Sequence, residues 1–299
     1  AINARLQKKV YFKMDCHQPT RSFKIRGMAH LVQQKVAAGQ RKFLASSGGN
    51  AGYSLAYACR RLGGSTHVVV PETSSARMCA LIAGEGATVE IHGESWQEAH
   101  EYALGLAAKG GYYYVSPFDD PLLWQGHASM IDECVKEISA PDMVVAAVGG
   151  GGLLCGIMEG MERNGWTKTT FLAAETDGAA SFHRAIAAGE AVAIDSISTI
   201  ATSLGAKQVA KAAFEWSKRR PVALHLCNDR EAMVAVKELM DTFNVLVEPA
   251  CGAALSSVFV PTGSIAKANT ILVIVCGGAG LDTEGYYRHL KHFQLLEGK

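Results

Sequence analysis

The sequence predicts an α/β protein of two domains, each a largely parallel twisted sheet covered by helices. Short β-rich runs alternate with amphipathic stretches along most of the chain, the pattern of parallel strands joined by crossover helices. Small residues and glycines cluster where such runs hand over to helices, at 46–52, 149–152 and 277–280. At 299 residues, 48% hydrophobic and 19% charged, the chain is long and apolar enough for two sizeable cores.

Taken in order, Val10-Tyr11-Phe12 is a short apolar run, and Gln18-Pro19-Thr20 is turn chemistry. Ile25, Met28, Ala29, Leu31 and Val32 then recur at helical spacing. Strands are expected at 43–45, 67–70, 88–91 and 112–115, alternating with helices at 51–62, 75–85 and 96–109. The cluster Ser116-Pro117-Phe118-Asp119-Asp120-Pro121 is the best internal boundary. Beyond it, helices are expected at 125–138, 152–164, 181–188, 229–243 and 251–260, and strands at 143–148, 171–174 and 270–275. No repeat, low-complexity stretch or long linker interrupts the pattern, so the two domains should pack closely.

Composition narrows the function. With 29 basic and 28 acidic residues there is no electrostatic case for nucleic acid or an anionic membrane. No apolar run approaches the roughly 18 residues of a spanning helix. The N-terminal residues lack a signal-peptide pattern. The eight cysteines show no C-x-x-C pair and fit reduced, buried residues of a cytoplasmic protein.

Four stretches carry chemistry. Ser22-Phe23-Lys24-Ile25-Arg26-Gly27 places a lysine at a strand-to-helix connection. An amine that attacks a carbonyl must be neutral, and only about 0.04% of free lysine is neutral at pH 7. Lys24 therefore needs burial or a cationic neighbour; alone, the six residues also fit a solvated lysine. Ser46-Ser47-Gly48-Gly49-Asn50-Ala51-Gly52 offers backbone N–H groups at a helix start, suited to a carboxylate or phosphate. It also fits a glycine-rich turn with a serine cap.

Gly149-Gly150-Gly151-Gly152 follows the most apolar strand. Four glycines allow a backbone folded closely around a tetrahedral anion. Neither the P-loop pattern nor G-x-G-x-x-G/A fits, because Leu154 or Cys155 occupies the last place of the latter. Glu175 after the next strand does mimic a ribose-binding acid, so a nicotinamide enzyme is the alternative from these patterns alone. Val275-Cys276-Gly277-Gly278-Ala279-Gly280 ends the last strong strand with a thiol that fits ring contact and simple burial equally.

Together and in this order, these stretches resemble the fold-type II pyridoxal-phosphate enzymes, which are tryptophan-synthase-β-like. The closer resemblance is to the L-serine dehydratase and serine dehydratase-like proteins. Further similar stretches are 116–122, Trp124-Gln125-Gly126-His127-Ala128-Ser129 and Leu246-Val247-Glu248-Pro249-Ala250-Cys251-Gly252-Ala253-Ala254. The match runs from about Val10 to Cys276. The family's segment before the first strand is shortened here, so part of the large domain is expected to lie upstream of residue 1. The chain ends soon after Cys276, short of the C-terminal regulatory domain of biosynthetic threonine dehydratases.

The resemblance implies a large cofactor-binding catalytic domain of residues 1–17 and 121–299 and a small domain of 18–120. It implies that Lys24 holds pyridoxal 5'-phosphate as a Schiff base and then removes the substrate's Cα proton. Gly149, Gly150, Gly151 and Gly152 would bind the phosphate, Phe23 would lie against the ring, Asn50 would bond the ring hydroxyl, and Cys276 would face the ring nitrogen. Ser47, Gly48 and Ala51 would hold the substrate carboxylate. Eliminating the β-hydroxyl converts L-serine to pyruvate and ammonia, or L-threonine to 2-oxobutyrate and ammonia. A monovalent cation such as potassium is implied at Glu175 and the carbonyls of Gly149, Ala179, Leu204 and Ala206. The family's habit is a homodimer. Sister activities on the same fold are threonine dehydratase, serine racemase and β-replacing synthase; a weakly active cofactor-binding homologue is the other class. His127 and His183 read as structural.

Overall fold

The computed structural model describes residues 2–260, 263 and 265–296. A short helix α1 (Ile2–Leu6) precedes β1 (Lys9–Lys13), and α2 (Lys24–Ala37) carries the helical spacing that begins at Ile25. Then β2 (Lys42–Ala45), α3 (Asn50–Leu62), β3 (Ser65–Val70), α4 (Ala76–Gly84), β4 (Thr88–Ile91), α5 (Trp96–Gly110) and β5 (Tyr113–Tyr114) alternate as expected. Beyond the turn come α6 (Pro121–Cys134), β6 (Met143–Ala147), α7 (Gly152–Arg163), β7 (Thr170–Thr176) and α8 (Ser181–Ala188). The chain continues through α9 (Lys211–Arg219), β8 (Val222–Cys227), α10 (Asp229–Phe243), α11 (Pro249–Phe259), β9 (Thr270–Ile274) and α12 (Thr283–His292).

Among the described residues there are two sheets, and every strand pair in them is parallel. One has five strands in the order β1-β9-β6-β7-β8, the other four in the order β4-β3-β2-β5. Parallel pairing demands crossover connections, and here these are mostly helices that cover the sheets. Hence β6 is buried at every position and β9 at all but its first, reading as continuous apolar runs. The core of the five-stranded layer gathers Val144, Val145, Phe171, Leu172 and Ile274 with Leu154, Ile157 and Leu255 of the covering helices. A second cluster joins Ile25, Met28, Leu31 and Val32 of α2 to Phe43 and Leu55. No helix among the described residues is long and apolar enough to cross a membrane.

Four of the labelled elements were not expected: α1, β8, α9 and α12. β8 is an edge strand whose Leu224 and Leu226 are exposed while His225 and Cys227 are buried, so it lacks the buried run of its neighbours. Helix α6 starts at Pro121 instead of 125, because Asp120 caps it by accepting from the Leu122 N–H and proline fits the first turn. The strand bounded by 112 and 115 shrinks to two residues.

Candidate active site

Lys24 is the first residue of α2, and the turn before it is stitched to the end of β9. Ser22 forms a β-bridge with Gly277, and the Phe23 N–H donates to the Cys276 carbonyl at 3.0 Å. The Lys24 Nζ donates to the Pro117 carbonyl at 2.5 Å and lies 5.2 Å from the centroid of the Phe23 ring. Burial lowers its pKa from 10.5 to about 8, against a small opposing influence from Cys276. Arg26 is not the cause. Its guanidinium is locked in a bidentate pair with Asp15 and bonded to Glu133 and Ser129, which ties the first turn of α2 to the turn after β1 and to α6.

Two helix N-termini here, those of α3 and α7, lack side-chain caps. Helices α4, α5, α6, α10 and α12 are capped by Ser75, Ser95, Asp120, Asn228 and Asp282. Helices α3 and α7 begin at Gly49 and Gly151, which have no side chain to cap with, whereas at the start of α2 the Lys24 N–H donates to the Ser22 hydroxyl at 3.3 Å. The first N–H groups of a helix have no partner within it. Among the described residues, the backbone N–H groups of 149–154 meet no acceptor, and neither do those of 47–51. Residues 151–154 are buried, so these donors await an anion.

The glycines at 149–152 are required by close packing. A Cβ at Gly150 would fall 2.2 Å from the Phe118 ring, and one at Gly152 would fall 2.5 Å from the Phe118 carbonyl. Gly151 has φ +90°, which other residues rarely adopt. Trp124 Nε1 holds the Phe118 carbonyl at 2.8 Å, one residue beyond the carbonyl that receives Lys24. Lysine and glycine loop are thus two adjacent neighbours of one turn.

Asn50 reaches the same place from the four-stranded layer. Its Nδ2 donates to Glu248 at 2.9 and 3.0 Å, and its Oδ1 accepts from the Ala279 N–H at 2.8 Å. Cys276, at the end of β9, is buried and shares a thiol hydrogen bond with Cys251; that bond, together with burial, pushes its pKa well above the usual thiol value. The group is a neutral thiol. Ser47 and Gly48 lie in the loop between β2 and α3, and Ala51 lies in the first turn of α3. A Cβ at Gly48 would sit 2.9 Å from Ser74 Oγ and 3.0 Å from Val70 Cγ1.

Comparison with known proteins places this geometry. Residues 1–277 match the family of pyridoxal-phosphate dependent enzymes. The chain belongs to that family. It is 42% identical over 282 residues to the L-serine dehydratase/L-threonine deaminase of Mus musculus, covering 91% of this chain and 86% of that one. The serine dehydratase-like protein of Mus musculus is 42% identical over 284 residues, covering 92% and 86%. The crystal structure of a fungal L-serine ammonia-lyase from Rhizomucor miehei superposes with a TM-score of 0.91 at 30% identity, over 98% of this chain and 95% of that one. The family is pyridoxal-phosphate dependent, and the unpartnered N–H groups of 149–154, buried from 151 on, fit its phosphate.

The cation ligands read from the sequence stand differently. Gly149 packs against Leu204, and Ala179 is buried nearby in sequence to Glu175. Both oxygens of buried Glu175 are already engaged: Oε1 accepts from the Phe182 N–H at 2.8 Å, and Oε2 from the His183 N–H and imidazole. Glu175 therefore caps α8 and pairs with His183. Ala206 lies just past Leu204, its N–H bonded to the Leu204 carbonyl. His127 is buried against the Phe23 ring at 4.9 Å, wedged where Gly27 and Gly156 leave room, and neither ring nitrogen has a hydrogen-bond partner among the described residues.

Sequence reasoning missed Glu248, Phe118 and Ser203 as site residues. Glu248 precedes Pro249 at the start of α11, where an acid would ordinarily be read as a cap. It is the cap residue, yet its side chain makes no cap bond and turns to Asn50 instead.

Proposed function

We propose that the chain is an L-serine/L-threonine ammonia-lyase that converts L-serine to pyruvate and ammonia, and L-threonine to 2-oxobutyrate and ammonia. The observation that carries this is the buried amine of Lys24 beside the uncapped N-termini of α3 and α7. The chain's 42% identity to an L-serine dehydratase/L-threonine deaminase supports the substrate class.

When bound, pyridoxal phosphate supplies an electron sink for the carbanion at the substrate's Cα. The residues do the rest. The Lys24 amine would anchor the cofactor and is the group placed to take the Cα proton; a pKa near 8 keeps roughly a tenth of it neutral at pH 7. The N–H groups of 149–154 hold the phosphate at the α7 dipole, and those of the α3 start, with Ser47, Gly48 and Ala51, hold the substrate carboxylate. Phe23 would lie against the ring, Asn50 would donate to the ring hydroxyl, and the neutral Cys276 thiol would face the ring nitrogen without charging it. Loss of the β-hydroxyl and hydrolysis by water complete the reaction.

The same proposal includes a small domain of 18–120 against a large one of 1–17 and 121–299, a homodimer, and a cytoplasmic location. Potassium at Gly149, Glu175, Ala179, Leu204 and Ala206 would share Glu175 with the α8 N-terminus, so no step is assigned to it. The test is the visible spectrum of the protein with pyridoxal phosphate, followed by L-serine. A visible band that changes on adding L-serine, with pyruvate and ammonia in equal amounts, is expected. A bound cofactor without pyruvate would overturn the activity.

A further inference from the structure

Glu248 touches both layers of the molecule at once, and nothing in the roles above uses it. It stands at the head of α11, 198 residues from Asn50 in the sequence, and is only 6% exposed. Its carboxylate accepts from Asn50 Nδ2 with both oxygens, from the Gly280 N–H at 2.6 Å and from the Ser203 hydroxyl. The backbone makes room for it. A Cβ at Gly278 would fall 2.1 Å from the Glu248 Cδ, and one at Gly280 would fall 2.7 Å from Oε1. Two glycines of the Cys276–Gly280 stretch thus serve this carboxylate.

We propose that Glu248 is a positioning residue that fixes the Asn50 amide with an Nδ2 hydrogen as donor toward the cofactor's ring oxygen. The proposal rests on the ammonia-lyase reading for the identity of that oxygen. The Asn50 Oδ1 is already filled by the Ala279 N–H at 2.8 Å, which sets the orientation of the amide. Nδ2 lies nearly equidistant from the two Glu248 oxygens, at 2.9 and 3.0 Å, so one N–H shared between them accounts for the contact. An amide nitrogen has two hydrogens. The second is left for a ligand. Without Glu248 the amide keeps only the Ala279 contact and is free to swing, while the Gly280 N–H and the Ser203 hydroxyl lose their acceptor.

Glu248→Ala and Glu248→Gln separate positioning from bulk structure. Glutamine keeps an oxygen toward Asn50 and Gly280, and its NH2 meets a serine hydroxyl that can rotate to accept. Nitrogen-15 spectra of the cofactor-free protein would follow the Asn50 side-chain amide, assigned with Asn50→Ala, and titration with pyridoxal phosphate would follow affinity. Glu248→Ala is expected to move the Asn50 resonance, to shift the absorption band of bound cofactor, and to weaken affinity about 10- to 100-fold, as for a lost hydrogen bond to a charged group. Glu248→Gln should stay within about tenfold of the unmodified protein. Adding Asn50→Ala to Glu248→Ala should cost little more, because the two act through one contact. An unmoved Asn50 resonance in Glu248→Ala, or full additivity of the two substitutions, would overturn the proposal. Failure of the unmodified protein to bind pyridoxal phosphate would instead sink the ammonia-lyase reading, and the Asn50 resonance alone would then decide the role of Glu248.

Discussion

Replacing Lys24 by methionine should make the cofactor-free protein more stable. Burial holds the Lys24 amine at a pKa of about 8 against 10.5 unperturbed. The unfolded chain therefore keeps this proton up to about pH 10.5, and the folded chain only up to about pH 8. The penalty is complete below pH 8 and fades as pH rises toward 10.5. The shift corresponds to about 3 kcal/mol at pH 7 and to less than about 1 kcal/mol at pH 10. Methionine fills similar volume without charge but gives up the bond to the Pro117 carbonyl, a loss of about 1 kcal/mol. A net gain of about 2 kcal/mol at pH 7 follows, vanishing near pH 10. Urea unfolding of both proteins, stripped of cofactor, at the two pH values measures it. A methionine variant that is no more stable at pH 7, or whose advantage persists unchanged at pH 10, would show that the amine is not held at a depressed pKa. Destabilised functional groups are a recurrent place where stability yields to activity.

Gly150→Ala would drive a Cβ to 2.2 Å from the Phe118 ring, and overpacking of this kind costs about 1–3 kcal/mol. Cofactor affinity measured by absorbance titration should fall about tenfold or more, and an unchanged affinity would remove the tetraglycine loop from the phosphate site. Cys276→Asp puts a charge where a neutral thiol now sits; nitrogen-15 spectra of labelled cofactor should show a more protonated ring, and pyruvate formation should slow by about tenfold. A protonated ring in the unmodified enzyme would refute this. Because Gly48 carries no side chain to serve the second face of Cα, chiral chromatography of an L-serine reaction should find pyruvate with almost no D-serine. D-serine appearing at a comparable rate would mean that another group, such as Ser47, reaches that face.

The interior strands were legible because a parallel sheet covered on both faces writes itself as apolar runs, as at Val144 and Ile271. The edge was not. In β8 the exposed Leu224 and Leu226 alternate with His225 and Cys227, and the preceding Arg219-Arg220-Pro221 reads as loop. Helix α9, with Lys211, Lys218 and Arg219, and helix α12, with Tyr286, Tyr287, His289 and His292, have too few aliphatic positions to announce a buried face. The junction chemistry was visible locally, since glycines and small hydroxyls at a helix start have a meaning independent of the rest of the chain. What Lys24 needed was also stated by its own pKa, but whether burial or Arg26 supplied it was not. Asp15 and Glu133, which neutralise Arg26, lie 11 and 107 residues away. Glu248 was hidden for the same reason: its partners are Asn50, Ser203 and Gly280, and only the fold brings them together.

The most direct test of the whole account is borohydride reduction of the protein with pyridoxal phosphate, followed by peptide mapping. The label is expected on Lys24, in the peptide that contains Phe23 and Ile25, and Lys24→Ala should lose both the label and pyruvate formation. A label found on Lys13 or Lys42 would contradict the assignment on which every other role depends.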